Sequence, residues 1–137
     1  MTARDRFAQA RNAVIELAQV QALIQTHGQD WQPDSVRGSG ISDPTYSQAC
    51  YNMEVWGVRL VELRAREEEL LEVIGRVLRD IELVRSEFGD EHASILDQRY
   101  IDCLPWSKVE LNGKRVKLST GKAKVKEAFE WLDKERP

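Results

Sequence analysis

Lysine is missing from the first 107 residues of this 137-residue chain. All seven lysines, Lys108, Lys114, Lys117, Lys122, Lys124, Lys126 and Lys134, fall in the last thirty residues, and every earlier cation is an arginine. Cysteine is scarce too. Cys50 and Cys103 stand far apart with no CxxC companion, which argues against a disulfide framework or a zinc site and reads both as small buried hydrophobes. Proline is absent between Thr45 and Leu104, so nothing in that stretch forbids a continuous helix. No apolar run approaches the roughly 20 residues of a membrane span. Arg4, Asp5 and Arg6 precede any apolar stretch, unlike a secretory leader. These absences lead us to expect a cytoplasmic protein with no membrane partner.

What is present is a seam. With Tyr46 at position a of a heptad, the a and d positions run Tyr46, Ala49, Met53, Trp56, Leu60, Leu63, Glu67, Leu70, Ile74, Val77, Ile81, Val84 and Phe88. Only Glu67 interrupts them. This 3.5-residue period predicts one helix over 44–89, roughly 60 Å long at 1.5 Å per residue, whose apolar side needs a second helix, a second copy, or both. The expectation is an all-α fold, a long helical oligomerisation rod with a C-terminal helix-turn-helix module. Leu60, Leu63, Leu70, Ile74, Val77 and Ile81 are the candidate oligomerisation positions, in a homo-oligomer expected to be a dimer.

In chain order, Thr2 can cap an N-terminal helix over 1–27 that carries Phe7, Ala10, Val14, Leu17 and Ile24 at helical spacing. Residues 28–43, with Gly28, Pro33, Gly38 and Gly40, read as a linker. Asp43-Pro44 starts the long helix and Gly89 stops it. Residues 90–137 form the module. It begins with a short helix to about Cys103. Two helical turns over Pro105–Leu111 follow, closed by Asn112-Gly113, and then a last helix from Ser119 buries Val125, Ala128, Phe129 and Leu132.

Charge is segregated along the chain. From Ser107 onward nine Lys+Arg face five Asp+Glu, whereas residues 1–106 hold eleven against eighteen. Between Lys108 and Lys126 seven cations meet the single anion Glu110, a density that would repel itself without an anionic partner. With Val125, Phe129 and Leu132 inward, the last helix presents Thr120, Ala123, Lys124, Glu127 and, at its edge, Lys126. A helix N-terminus with lysines attracts phosphate, and Ser and Thr can bond base edges. Lys114, Arg115, Lys117, Ser119, Thr120, Lys122, Lys124 and Lys126 are therefore the candidate contacts to double-stranded DNA. The bland alternative is a solvated lysine-rich helix.

The segments "SILDQRYIDCLPWSKVEL" and "LSTGKAKVKEAFEWL" resemble the sigma-factor region-4-like helix-turn-helix of phage transcriptional regulators of the ArpU and RinA type. "GSGISDPTYSQA" is similar to the entry to the long helix in those regulators. The likeness spans roughly residues 36–132. It implies a sequence-specific activator of phage late genes, with host RNA polymerase as a further partner. The chain departs from the pattern where Glu110 follows Val109 and Ser119 comes ten residues after it. Lys114, Arg115 and Val116 lengthen the turn, so 114–118 is open to reading as turn, wing or helix, and Lys114, Arg115 and Lys117 could form a small basic hairpin or wing.

No catalytic set emerges, and an enzyme is not expected. His27 and His92 lack triad companions, and Glu67, Glu68, Glu69 and Glu72 read as a solvated face rather than a metal site, so neither metal nor cofactor is implied. Two other functions fit the same pattern: a phage small terminase subunit binding packaging-site DNA, and a coiled-coil adaptor whose basic tail meets an acidic protein.

Overall fold

The computed structural model describes the backbone of residues 1–30 and 44–135 and the side chains of residues 1–26 and 57–135. Helix α1 spans Ala3–Asp30 and helix α2 spans Pro44–Phe88. Helix α3, Asp90–Leu96, runs on into a π-helical turn, Asp97–Ile101. A 3₁₀ turn, Trp106–Lys108, leads into a two-stranded hairpin of β1 (Glu110–Leu111) and β2 (Lys114–Arg115), and α4, Leu118–Glu135, follows. The mostly helical fold is as the periodicity predicts. Linker residues 31–43 and the first seam positions, Tyr46 to Trp56, lie outside the described residues or side chains.

Local chemistry explains most boundaries. Thr2 Oγ1 accepts the Asp5 N–H at 3.2 Å, the expected cap. Helix α1 does not end at His27-Gly28 but continues to Asp30, since an interior glycine weakens a helix without breaking it and the next proline is Pro33. Pro44 is the first residue of α2. Gly89 leaves it with φ 103°, a value glycine adopts readily.

The chain divides into two compact units, Met1–Ile15 with Leu70–Pro137, and Glu16–Glu69. The first does not start at residue 90. Its core joins Phe7 and Ala10 of α1, Val77, Ile81 and Val84 of α2, Ile95 and Leu96 of α3, Val109, and Phe129 and Leu132 of α4. Phe7 packs against Tyr100 and Phe129 with ring centroids 5.3 and 5.0 Å away. The Ala3 N–H donates to Asp133 Oδ1 at 2.7 Å, tying the start of α1 to α4. Arg6 Nε donates to Asp80 Oδ2 at 3.3 Å, and Asp80 is 1% exposed.

These contacts change the reading of the seam. Leu70, Ile74, Val77 and Ile81 are between 1% and 7% exposed in a single chain. Their apolar faces are covered within the chain's own core, so as oligomerisation positions they face inward. In the second unit Leu60 and Leu63 are half-buried, Val58 and Val61 are exposed, and the Arg66 guanidinium forks onto both carboxylate oxygens of Glu16. The Arg66 pairing holds the Glu16 carboxyl below its ordinary pKa. No helix among the described residues is long and apolar enough to cross a membrane.

Candidate nucleic-acid interface

The expected pair of helical turns over Pro105–Leu111 is not formed. Only Trp106–Lys108 is helical, as a 3₁₀ turn, after which Val109 turns to φ −76°, ψ 126° and buries its side chain completely. Glu110 pairs with Arg115 and Leu111 with Lys114 around Asn112-Gly113. Both turn residues have positive φ, 55° and 78°, the requirement of the tight type I′ hairpin turn. Val116 N–H to Val109 O, at 3.0 Å, extends the ladder by one rung. Of the readings open for 114–118, Lys114 and Arg115 are strand and Leu118 already begins α4. The expected succession of three short helices becomes helix, hairpin, helix.

The hairpin is fixed to the π-helical turn by one side chain. Gln98 donates its Nε2 to Glu110 O at 2.8 Å and accepts the Glu110 N–H on Oε1 at 2.9 Å, so its amide imitates a neighbouring strand. The π-helical turn that carries Gln98 is closed by Leu104 N–H to Gln98 O at 2.9 Å across Cys103, whose φ is 56°. This is a widened form of the left-handed closure that usually employs glycine. The Cys103 thiol is half-buried; Cys50 lies outside the described side chains.

The predicted DNA-contact residues then divide by geometry. Lys114, Arg115, Lys117, Ser119, Thr120, Lys122 and Lys126 are exposed. Lys126 stands 4.0 Å from Glu130 on its own helix. Lys124 does not face outward as expected: it is half-buried, its Nζ 3.2 Å from Glu91 of α3. Glu127, expected on the same outer face, lies 3.5 Å from His92 Nε2, and the His92 ring stacks on Phe88 at 4.7 Å. The 100° step per residue places 124 and 127 on the edge of α4 that meets α3. The outward strip is Lys122, Ala123 and Lys126, with Ser119 and Thr120 in the first turn.

A cleft of about 400 Å³ beside this strip has no counterpart among the sequence expectations. Arg4, Arg99, Lys122 and Lys126 bring four cations to it, Tyr100 and Trp106 line it, and Val125 and Phe129 are buried at its base. The Arg99 guanidinium lies 4.8 Å from the Trp106 ring centroid and donates Nη1–H to Leu104 O at 2.7 Å. Burial, then Arg11, lowers the Arg99 pKa; burial raises that of Tyr100. These residues come from four elements, from Arg4 of α1 to Phe129 of α4, and no sequence motif joins them. Among the described residues no group of three or more His, Cys, Asp or Glu could hold a metal ion. No protein-family model, curated protein or solved structure matches this chain.

Proposed function

We propose that the chain is a sequence-specific DNA-binding protein, a transcriptional regulator of the phage type that its C-terminal sequence resembles. The observation that carries this reading is the run of exposed cations Lys114, Arg115, Lys117 and Lys122, none of which has a described carboxylate within ion-pair distance. Four such charges on a hairpin and the first turns of the following helix repel one another unless phosphates approach. The exposed Ser119 and Thr120 in the first turn of α4 offer hydroxyls to base edges. In this reading α4 is the recognition helix of a helix-turn-helix-like module, with the hairpin as a basic wing where the first helix was expected. Self-association and an oligomerising rod would then use apolar positions that a single chain leaves exposed, Val58 and Val61 in one unit and Leu71 and Leu78 in the other. A polymerase contact belongs to the same proposal.

A salt titration of binding to promoter-length duplexes tests it. Three to five phosphate contacts give a log–log slope of about −3 to −5 per chain, doubled in a dimer. Lys114→Ala with Lys117→Ala flattens the slope by about two and weakens all sequences alike, whereas Thr120→Val alters which sequence is preferred. Binding no tighter than about 0.1 mM at low salt, weaker than ordinary non-specific association, rejects the DNA reading.

A further inference from the structure

We propose that the cleft between α1, the π-helical turn and α4 is a binding site for a nucleotide, a phosphate monoester joined to a planar base. The inference goes beyond the DNA reading and does not depend on it. Its volume of about 400 Å³ lies within the ~300–1,000 Å³ of small-molecule sites and exceeds what a phosphate ion fills. Four cations line it and no carboxylate does. Arg4, Lys122 and Lys126 are exposed at its mouth, placed for a phosphate, while Tyr100 and Trp106 supply aromatic surface for a base.

The corner is over-supplied with positive charge. Arg99 is desolvated, its Nε is buried without a hydrogen-bond partner, and the Nε of neighbouring Arg11 is in the same condition. Each buried guanidinium donor left unmet is costly, and an anion in the adjoining cleft offsets that cost electrostatically. Trp106 is held as a wall from two sides. Arg99 lies over its ring, and at Gly121 of α4 the absence of a side chain leaves the ring the space it occupies. The pocket is therefore built from fixed groups rather than from surface side chains alone.

Calorimetric titration of the full chain with 2′-deoxyadenosine 5′-monophosphate tests the assignment, with 2′-deoxyadenosine and inorganic phosphate as partial probes. The expected result is binding of the nucleotide at least about tenfold tighter than either part. Arg4→Gln, a change at an exposed position outside the DNA-contact set, weakens it about tenfold, the equivalent of one charge-assisted contact. Arg4→Glu weakens it further, and Arg64→Gln in the other unit leaves it unchanged. A duplex compared with and without a 5′-phosphate identifies the source of the ligand. A preference for the phosphorylated end that Arg4→Gln removes assigns the cleft to a strand terminus, and equal affinities assign it to the free nucleotide. Nucleotide binding that is absent, matched by inorganic phosphate, or indifferent to Arg4→Glu overturns the proposal. A duplex bound normally alongside any of those results leaves the DNA reading standing by itself.

Discussion

Two glycines in helix interiors respond to the same substitution with opposite sign. At Gly75 in α2 a Cβ meets nothing within 4 Å, so Gly75→Ala removes the backbone-entropy cost of glycine and stabilises by about 0.8–1 kcal/mol. At Gly121 in α4 the same atom would overlap Trp106 Cζ3 and lie 3.1 Å from Cε3 and Cη2. Trp106 cannot swing aside cheaply, because Arg99 lies over its ring and the 3₁₀ turn fixes its backbone. Overpacking of this kind costs about 1–3 kcal/mol, from which the helix-propensity gain of about 1 kcal/mol is subtracted. The expected outcome for Gly121→Ala is a net loss of about 1 kcal/mol, the middle of a range from zero to about 2 kcal/mol, and a gap of about 2 kcal/mol between the two variants. Urea unfolding followed by circular dichroism reads both, with Tm moving by about 4 °C per kcal/mol for a chain of this size. A Gly121→Ala protein stabilised as much as Gly75→Ala would refute the close packing of Trp106 against α4.

Asp80→Ala removes the carboxylate facing Arg6 and leaves a mostly buried guanidinium, so a loss of about 3 kcal/mol is expected in denaturant midpoints; a loss below about 1 kcal/mol would show that the pair is solvated. Asp97 carries a raised pKa, first from burial and then from Asp102. Because its folded pKa lies above the unfolded one, the native state holds more protons in that window, and stability falls as pH rises through it. Asp97→Asn is therefore more stable than the parent at pH 7, with the advantage shrinking as pH falls through the raised pKa and gone below about pH 4, the ordinary aspartate range; an advantage independent of pH would assign it to packing.

The parts of this fold that local chemistry dictates are legible in the residues themselves. Thr2 as cap, Pro44 as start, Gly89 as stop and the inward stripe Val125, Ala128, Phe129 and Leu132 all act over one or two turns. The partner of the seam is not legible. A heptad pattern reports that Leu70, Ile74, Val77 and Ile81 must be covered, but is silent on whether α1 or a second copy covers them. Asp80 reads as one more solvated charge between Arg79 and Ile81, and its burial depends on Arg6, 74 residues away. Lys124 likewise sits on the outer arc of a bare helical wheel, and only the placement of Glu91 on α3 turns it inward. The cleft is invisible in sequence for the same reason, since Arg4, Arg99 and Lys122 meet only once the chain is folded.

The hairpin, one of the readings the residues leave open for 114–118, is a different case, because its signal is local. Asn112-Gly113 is the strongest two-residue hairpin signature, and reading it as a helix stop between Glu110-Leu111 and Lys114-Arg115 assigns it the weaker of its two meanings. Two residues per strand are too few to hold a hairpin by themselves. What stabilises this one is Val109, fully buried beneath it, and the Gln98 amide, which meets both backbone groups of Glu110. Without that amide the Glu110 N–H and C=O would need water as their partner, and the strand would lose its hydrogen bonds to the π-helical turn. Lys114 and Arg115 are consequently mounted on the framework that also carries α4, rather than on a loose turn. Cations held in fixed register lose less side-chain and backbone freedom when they meet a regular array of phosphates than cations on a flexible segment do, and on the proposed DNA reading the hairpin would hold Lys114 and Arg115 in that way.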